Sequence, residues 1–311
     1  LSTNGASLYV GYYAGEYGTV IAQDGSHITP NEPIFIGYYG HGTLTMHGSA
    51  AILDDNEKVY VGYNSGSTGT WTGANGACDD LHVGYNGTGL VTMGSGDHLV
   101  VTDDITVGGS NHGDGTLNMT DASVTADSII VGSSTGVLNM NGGTINTTSM
   151  DVAFTGHGTV SLTDADVTIS SDLRIGYNGN TEDGDLALFT QSGGTLTVGT
   201  FLNAGGYASA NTSFTNGAQV TVGTDLTVAV GMASNESSSL DLTTANSSSP
   251  TFLDISGNAA VQENGSWTSD ALSQVRIGSG DLSSISTIGF VLVSDTTGAS
   301  SGLTLSNAPA S

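Results

Sequence analysis

Basic side chains are almost missing from this sequence. Lys58, Arg174 and Arg276 stand against 29 acidic residues, so the formal net charge is −26. Proteins that bind nucleic acid neutralise phosphates with clustered lysine and arginine, and these three basic residues lie far apart in the chain. The composition therefore excludes nucleic acid and other polyanions as partners.

Cysteine is nearly absent as well. Cys78 is the single cysteine, so the chain has no internal disulfide, and no four-ligand zinc site can be assembled around that thiol. The stability of the fold must therefore come from packing or from bound ions.

Long hydrophobic runs are also missing. The longest are of the kind Gly289–Val293, whereas a membrane-spanning helix needs about 20 apolar residues. The chain opens at Leu1 without a charged n-region, a pattern typical of a mature protein whose leader has been removed. The sequence predicts a secreted or cell-surface protein without a transmembrane segment.

Glycine is abundant and marks a repeat. There are 47 glycines, about twice the usual share, and many follow a β-branched residue and precede a tyrosine. The clear copies of this unit are Val10-Gly11-Tyr12, Ile36-Gly37-Tyr38, Val61-Gly62-Tyr63, Val83-Gly84-Tyr85, Val107-Gly108, Val131-Gly132, Ile175-Gly176-Tyr177, Val230-Gly231 and Ile277-Gly278. Weaker copies fill the gaps at Val152-Ala153, Ala204-Gly205 and Ile255-Ser256. The spacing of these units gives a period of about 24 residues.

Each period contains three short runs in which apolar and polar residues alternate. In the copy that begins at Asp104 the runs are 105–107, 116–119 and 122–126, and alternation of this kind is typical of β-strands closed by turns. We therefore predict an all-β fold, a single-stranded right-handed parallel β-solenoid (β-helix) with three sides and about twelve turns. The solenoid should occupy residues 8–280, between an N-terminal segment at 1–7 and a C-terminal strand and tail at 281–311.

The same alternation assigns the core. Two adjacent aliphatic columns are expected from Leu44 and Met46, Val91 and Met93, Leu117 and Met119, Leu138 and Met140, and Val160 and Leu162. The residues between them should face outward, namely Thr45, Thr92, Asn118, Asn139 and Ser161. Such a core is long and only one side chain wide.

The repeat units carry a family resemblance. The segments Gly115–Asp121 (GTLNMTD) and Gly194–Gly199 (GTLTVG), interleaved with Val-Gly-Tyr-Asn-Gly copies, resemble the β-helix repeats of bacterial autotransporter passengers and of exported proteins with a PEP-type sorting signal. The resemblance covers roughly residues 8–280. It implies an exported bacterial β-helix displayed at or outside the cell surface.

Aspartates recur at fixed distances before the Val-Gly units. Asp80 and Asp104 precede the valine by three positions, and Asp79, Asp103 and Asp127 precede it by four. Stacked turns would align these carboxylates into rows, which we call the Asp corner, and Ca²⁺ is the cation that would relieve their repulsion. The alternative is a solvated turn in which aspartate caps the loop backbone.

Tyrosines recur two positions after the valine or isoleucine of the same units. Tyr12, Tyr38, Tyr63 and Tyr85 should stack on four consecutive turns. An exposed aromatic ladder can contact the face of a sugar or a neighbouring subunit. The alternative is that the rings only stack on one another and stabilise the outer sheet.

Catalysis has weak support in the sequence. Asp164 with Asp166, or the segment 182–185 with its three carboxylates, offers the pairs that glycoside hydrolysis needs, but both lie in turn sequences. The seven histidines show neither an HExxH spacing nor a serine partner in a nucleophile elbow. We predict a protein that is not an enzyme, with a polysaccharide-degrading activity as the third hypothesis.

The favoured function is a structural or adhesive protein that self-associates, with a surface glycan as a further partner. An ice- or glycan-binding solenoid is the alternative. Ice binding needs a flat and regular Thr-x-Thr array, whereas the outward column between the core residues drifts from threonine through asparagine to serine.

The segment Ser286–Asp295 is the most apolar strand of the chain. Its candidate contact residues are Ile288, Phe290 and Leu292. Two hypotheses compete: the strand folds over the last turn as a cap, or it completes the open edge of a neighbour so that subunits join head to tail into a filament.

Overall fold

The computed structural model shows an all-β chain without helices in its described part, built as a β-solenoid of about ten turns of stacked parallel strands. The fold class expected from the repeats is confirmed. The structure describes residues 6–29, 31–48, 50–53, 57–109, 112–176, 185–206, 208–229, 237–244, 249–261, 265–269, 273–277 and 303–306. The right-handed sense and the count of about twelve turns stay predictions.

The strands are short and follow one another closely. In chain order they are β1 (Leu8–Val10), β2 (Tyr17–Ala22), β3 (His27–Ile28), β4 (Ile34–Ile36), β5 (His41–Met46), β6 (Ala51–Leu53), β7 (Val59–Val61), β8 (Thr68–Thr72), β9 (Gly76–Cys78), β10 (Leu81–Val83), β11 (Thr88–Met93), β12 (His98–Val101), β13 (Asp104–Val107), β14 (Asp114–Thr120), β15 (Ser123–Val131), β16 (Thr135–Asn141), β17 (Thr144–Val152), β18 (His157–Thr163), β19 (Asp166–Ile169), β20 (Leu173–Ile175), β21 (Leu186–Ser192), β22 (Thr195–Val198), β23 (Leu202–Ala204), β24 (Ser209–Thr215), β25 (Gln219–Val222), β26 (Leu226–Val228), β27 (Ser238–Thr243), β28 (Phe252–Ile255), β29 (Ala259–Val261), β30 (Gly265–Ser269), β31 (Gln274–Ile277) and β32 (Leu303–Ser306).

Each turn contributes one strand to each of three columns. In the first column β1 pairs with β4, and β4 with β7, all parallel. The second column begins with β2, β5 and β8, and the third with β3, β6 and β9. The long strands β15 and β17 run through a corner, so each belongs to the third column of one turn and the first column of the next. The first and third columns therefore form one 20-stranded sheet, and the second column forms a 12-stranded sheet.

The predicted core columns are confirmed. All ten aliphatic side chains expected to face inward are buried, and register places Leu117 on Leu138 and Met119 on Met140. Trp71 lies between Leu44 and Val91 in the same column. Its indole N–H lies 3.1 Å from the sulfur of Met46, so this ring joins the aliphatic residues into one continuous core.

The Val-Gly units form the corner between the first and second columns. Gly84 adopts φ of +70°, and a Cβ at this position would collide with the carbonyl oxygen of Asp114 on the next turn. Glycine is favoured because it accepts a positive φ and brings no side chain. Ala153 and Ala229 take the same left-handed conformation, with φ of 54° and 62°.

Three of the proposed repeat units are misplaced. The register pairs Val228 with Ala204, so Val228-Ala229 and not Val230-Gly231 continues the first column. Ile255 and Ile277 end paired strands of the third column, and they are not copies of the position occupied by Val10. Longer connections near the C-terminal end shift the sequence period, which is why counting residues alone lost the register there.

One corner accepts longer connections without a change of register. β20 ends at Ile175 and β21 begins at Leu186, yet β21 still pairs in parallel with β18 and β24. The same corner separates β26 from β27, and β27 keeps its pairing with β24. The core is therefore insensitive to the length of this loop.

The C-terminal end of the second column carries a strand of opposite direction. β32 pairs antiparallel with β30, with Trp267 opposite Leu305. The segment Ser286–Asp295, including Ile288, Phe290 and Leu292, lies outside the described residues, as do most of 281–311 and residues 1–5. The strand that covers β30 is thus a different one from the apolar segment singled out in the sequence.

Candidate functional site

The first strand of each of the first four turns presents an aromatic ring to the outside. In these three-residue strands the two end residues point into or toward the core, as Ile34 and Ile36 do, so the middle residue faces outward. The middle residues of the four turns are Tyr9, Phe35, Tyr60 and His82. Their rings stack face to face with centroids 5.0, 5.1 and 4.8 Å apart.

The tyrosines that follow the corner glycines form a second stack beside the first. The centroid distances from Tyr12 to Tyr38, Tyr38 to Tyr63 and Tyr63 to Tyr85 are 5.4, 5.2 and 5.2 Å, with interplanar angles of 15°, 13° and 7°. The predicted stacking of these four residues is therefore present. The glycine before each tyrosine turns the chain so that the ring lies next to the preceding strand.

The two stacks touch each other edge to face. Tyr9 meets Tyr12 at 87°, and Tyr60 meets Tyr63 at 83°, both with centroids about 5 Å apart. We call the eight rings of the two stacks the aromatic double column. Aromatic pairs in these geometries contribute about 0.5–1.5 kcal/mol each beyond the burial of their area, so the double column stiffens the first four turns.

Stacking leaves few ring faces free in the double column. The rings of Tyr38 and Tyr63 each lie between two parallel neighbours, and desolvation raises the pKa of Tyr38 and of Tyr60. A sugar ring needs an open aromatic face, so these inner tyrosines offer only their edges. The outer faces of Tyr9 and Tyr12, on the first turn, have no stacked ring among the described residues.

Exposed large apolar side chains concentrate at this first turn. Six of the eight in the described chain lie on the first two turns, and four of these are rings of the first turn itself. The six are Tyr9, Tyr12, Tyr13, Tyr17, Ile21 and Tyr39. Tyr17, 84% exposed, stacks on His41 through one face only. We call Tyr9, Tyr12, Tyr13, Tyr17 and Ile21 the first-turn patch.

The Asp corner exists as a backbone ladder. The N–H of Asp103 donates to the carbonyl oxygen of Asp79 at 2.9 Å, and the N–H of Asp127 donates to that of Asp103 at 3.0 Å. The N–H of Asp104 donates to the carboxylate of Asp80 at 3.2 Å. The five predicted aspartates are therefore neighbours on successive turns.

The carboxylates of the Asp corner lie in different electrostatic surroundings. Asp80 is buried and forms an ion pair with Lys58, whose pKa the carboxylate raises. Burial raises the pKa of Asp104, and the nearby carboxylates of Asp103 and Asp80 raise it further. The described residues hold no group of three or more side chains arranged to ligate a metal. The calcium site stays a prediction.

Of the two carboxylate groups considered for catalysis, Asp164 with Asp166 lies within the described residues, as does Asp185 of the segment 182–185. Asp166 accepts a hydrogen bond from the hydroxyl of Thr195 at 2.7 Å, and Asp164 adopts φ of 49° in a turn. Residues 177–184, which include Tyr177, Glu182 and Asp183, lie outside the described residues. Asp164 is thus a turn residue, and Asp166 is the first residue of β19, bonded to its register partner on the next turn.

Sequence reasoning missed half of the double column. Each of these rings, Tyr9, Phe35, Tyr60 and His82, stands directly before the valine or isoleucine of a repeat unit. Their common position was therefore a usable signal.

The sequence analysis also missed the Arg174–Asp151 pair, in which the guanidinium donates to both carboxylate oxygens at 2.5 and 2.8 Å. These two residues occupy the same outward position of the first column on adjacent turns.

Comparisons with protein-family models, with curated proteins and with solved structures find no match to the chain. The described part of the chain has no helix long and apolar enough to cross a membrane. The function must therefore be argued from the surfaces of the solenoid.

Proposed function

We propose that the chain is an exported, non-catalytic structural or adhesive β-solenoid that acts through its first-turn patch. The observation that carries the proposal is the concentration of exposed rings on the first two described turns of a long regular stack. Contiguous exposed apolar surface on a soluble protein is a mark of interaction sites. The remainder of the stack then serves as a stiff spacer.

The charge distribution supports this role. Between Leu8 and Ala22 the only charged side chain is Glu16, in a chain of net charge −26. Acidic residues elsewhere keep such proteins soluble and apart, whereas this segment offers tyrosine, which is enriched at protein interfaces. The patch is therefore the part of the surface best suited to contact.

Adsorption of the labelled protein to hydrophobic and to polysaccharide-coated beads tests the proposal. Replacing Tyr13→Ser and Tyr17→Ser should reduce adsorption strongly, because these rings are exposed and no core is disturbed. The matched control is Leu186→Ser with Phe201→Ser, which removes the two exposed large apolar side chains that lie beyond the first two turns in the described chain. Equal adsorption of both double variants and the wild type would contradict the proposal.

A second candidate function is favoured by a different surface. In the third column five consecutive turns place an exposed hydroxyl or amide at the same outward position, and register pairs each with the next. The residues are Thr125, Asn146, Thr168, Thr197 and Thr221. None of these side chains has a hydrogen-bond partner within the described part of the chain. We call them the hydroxyl column.

The hydroxyl column fits an ordered, uncharged and hydrogen-bonding ligand, such as ice or a neutral glycan. Successive members of the hydroxyl column lie about 4.8 Å apart along the stack. The threonine side chains are stiff because β-branching restricts χ1. The neighbouring outward row is less regular, since it includes Asp166 and Gln219. Thermal hysteresis and a glycan panel, each repeated with Thr168→Val and Thr197→Val, separate this function from adhesion by the first-turn patch.

A further inference from the structure

We infer that the outer face of the second column binds a second copy of the chain, so that two solenoids pack face to face with antiparallel axes about a twofold axis that runs along β16. The contact surface is formed by the eight strands of this column from β5 to β24, and we call it the second-column face. This inference goes beyond the proposed function, because it uses neither the first-turn patch nor the hydroxyl column. The contact lies on the side of the stack, in the middle of the described turns.

The second-column face is almost free of charge. Its outward side chains are threonine, serine, asparagine, histidine and aliphatic residues, and Asp114 is the single carboxylate among those of the eight described strands. The net charge of the chain is −26, so nearly all acidic residues belong to other parts of the chain. Two copies therefore meet here with less repulsion than at the acidic corners.

The middle row of the second-column face reads the same in both directions. Register aligns one outward and partly exposed residue from each of five consecutive strands, in the order Leu90, Thr116, Val137, Thr159 and Leu188. A twofold axis through Val137 sets Leu90 against Leu188 of the second copy, and threonine against threonine. An interface between identical copies about a twofold axis must be self-complementary in this way.

The same axis gives the one carboxylate of the face a partner. In the row next to the Val-Gly corner, Asp114 and His157 stand one turn on either side of Thr135, and all three side chains are exposed. The axis therefore places Asp114 of each copy opposite His157 of the other. An imidazole N–H donates a hydrogen bond to a carboxylate, and the protonated ring adds a positive charge.

The size and shape of the face suit a stable dimer. Its strands are five to seven residues long. With strands about 4.8 Å apart and a rise of about 3.3 Å per residue, the planar footprint is about 800 Å², which is the area that each partner buries in an ordinary stable interface. Two sheets pack well when their strand directions are nearly aligned, and an axis along β16 aligns them.

Sedimentation equilibrium of the full chain over a wide concentration range tests the inference. We expect a monomer–dimer equilibrium that shifts toward dimer at higher salt, because screening reduces the repulsion between two chains of net charge −26. Val137→Asp brings two carboxylates together on the axis and should weaken the dimer at least about tenfold. The matched control is Thr168→Asp, at an outward strand position of the third column, which should leave the dimer nearly unchanged.

An exchange of residues tests the arrangement of the two copies. His157→Asp sets two carboxylates against each other and should weaken the dimer, whereas adding Asp114→His should restore it. The exchanged variant has the same composition as the wild type, so its recovery reports the contact between these two positions. A short bismaleimide should link two chains through Thr135→Cys and fail to link them through Thr168→Cys, because Cys78 is buried.

The outcomes are distinct. A dimer that is weakened by Val137→Asp and restored by the exchange supports the inference. Monomers at every concentration, or a dimer that Val137→Asp and His157→Asp leave unchanged, overturn it. A monomer that binds a neutral glycan through this face overturns it as well. Adsorption to beads through Tyr13 and Tyr17 tests the proposed function separately, so its failure would leave this inference standing.

Discussion

The imidazole of His82 stacks on the phenol ring of Tyr60, with centroids 4.8 Å apart and planes 16° from parallel. His82 is thereby the last ring of its stack, and its Nδ1 is buried without a hydrogen-bond partner in the described structure. Burial lowers the pKa of His82, and the positive charge of Lys58 lowers it further while Asp80 opposes both. The stack therefore ends in a side chain that can take up a positive charge, whereas its other rings are uncharged.

This stack should weaken on acidification. Because the pKa of His82 is lower in the folded chain than its ordinary value of about 6.5, the unfolded chain binds the proton more readily. The stabilisation is present above that ordinary value and is lost as the pH falls through it. His82→Phe keeps the ring and should flatten the decline of melting temperature between pH 7.5 and pH 5. Parallel declines in both proteins would refute the assignment.

Glycines at the corners of the solenoid differ in the atoms that an added Cβ would contact. At Gly84, φ is positive and a Cβ collides with the backbone of the next turn, whereas at Gly96, φ of +85° is combined with open space. Gly96→Ala should therefore cost about 1–2 kcal/mol, the usual price of the left-handed conformation, and Gly84→Ala clearly more. Chemical denaturation of the two variants measures the difference, and equal losses would show that the next turn moves aside.

Arg174 compensates a buried charge. Asp151 is buried, and burial raises its pKa even though Arg174 lowers it. Arg174→Gln should cost about 3–5 kcal/mol at neutral pH, because the carboxylate loses its partner. The deficit should shrink as the pH falls and Asp151 takes up a proton. Adding Asp151→Asn should recover much of the loss, and no recovery would show that the arginine stem matters more than its charge.

The Asp corner should be more stable with one charge fewer. Because the pKa of Asp104 is raised, its contribution to stability falls as the pH rises through the interval between the ordinary and the raised value. Asp104→Asn removes the repulsion with Asp103 and should raise the melting temperature at pH 7. Asp114→Asn, between Thr88 and Thr135 in the second column, is the control and should change little.

Calcium gives the corner a second test. Binding to the folded state alone adds about 2.7 kcal/mol at a hundredfold excess of cation over Kd. If the corner binds Ca²⁺, the melting temperature should rise between EDTA and millimolar calcium, and Asp104→Asn should reduce that rise. Identical melting temperatures in the two buffers would leave the aspartates as turn residues only.

The sequence allowed the fold, the inward columns and the stacking of Tyr12 with its counterparts to be predicted, because each depends on a strict local period. Register across long connections was not accessible in this way. Val230-Gly231 matches the repeat unit by composition, yet pairing places Val228 in the column. The contact of Arg174 with Asp151 likewise required knowing which residues share a position on adjacent turns.

Function was less predictable for a physical reason. The four tyrosines indicated an aromatic ladder, but the stacking of these rings on one another covers both faces of Tyr38 and of Tyr63. A second stack, which begins at Tyr9, lies beside them and was not predicted. Alternation in a three-residue strand is too short to show that its middle residue belongs to a continuous surface. Only the paired strands revealed that Phe35 and Tyr60 complete it.

At the corner between β20 and β21, the length of the connection can change without any change in the core. A natural chain can therefore acquire new segments at this position by insertion while the stacked strands remain as they are. The same property makes the position after Ile175 a suitable site for grafting a peptide epitope or an enzyme domain, which would project from the side of the rod. Evolution of new binding specificities in such a protein would be expected to begin there.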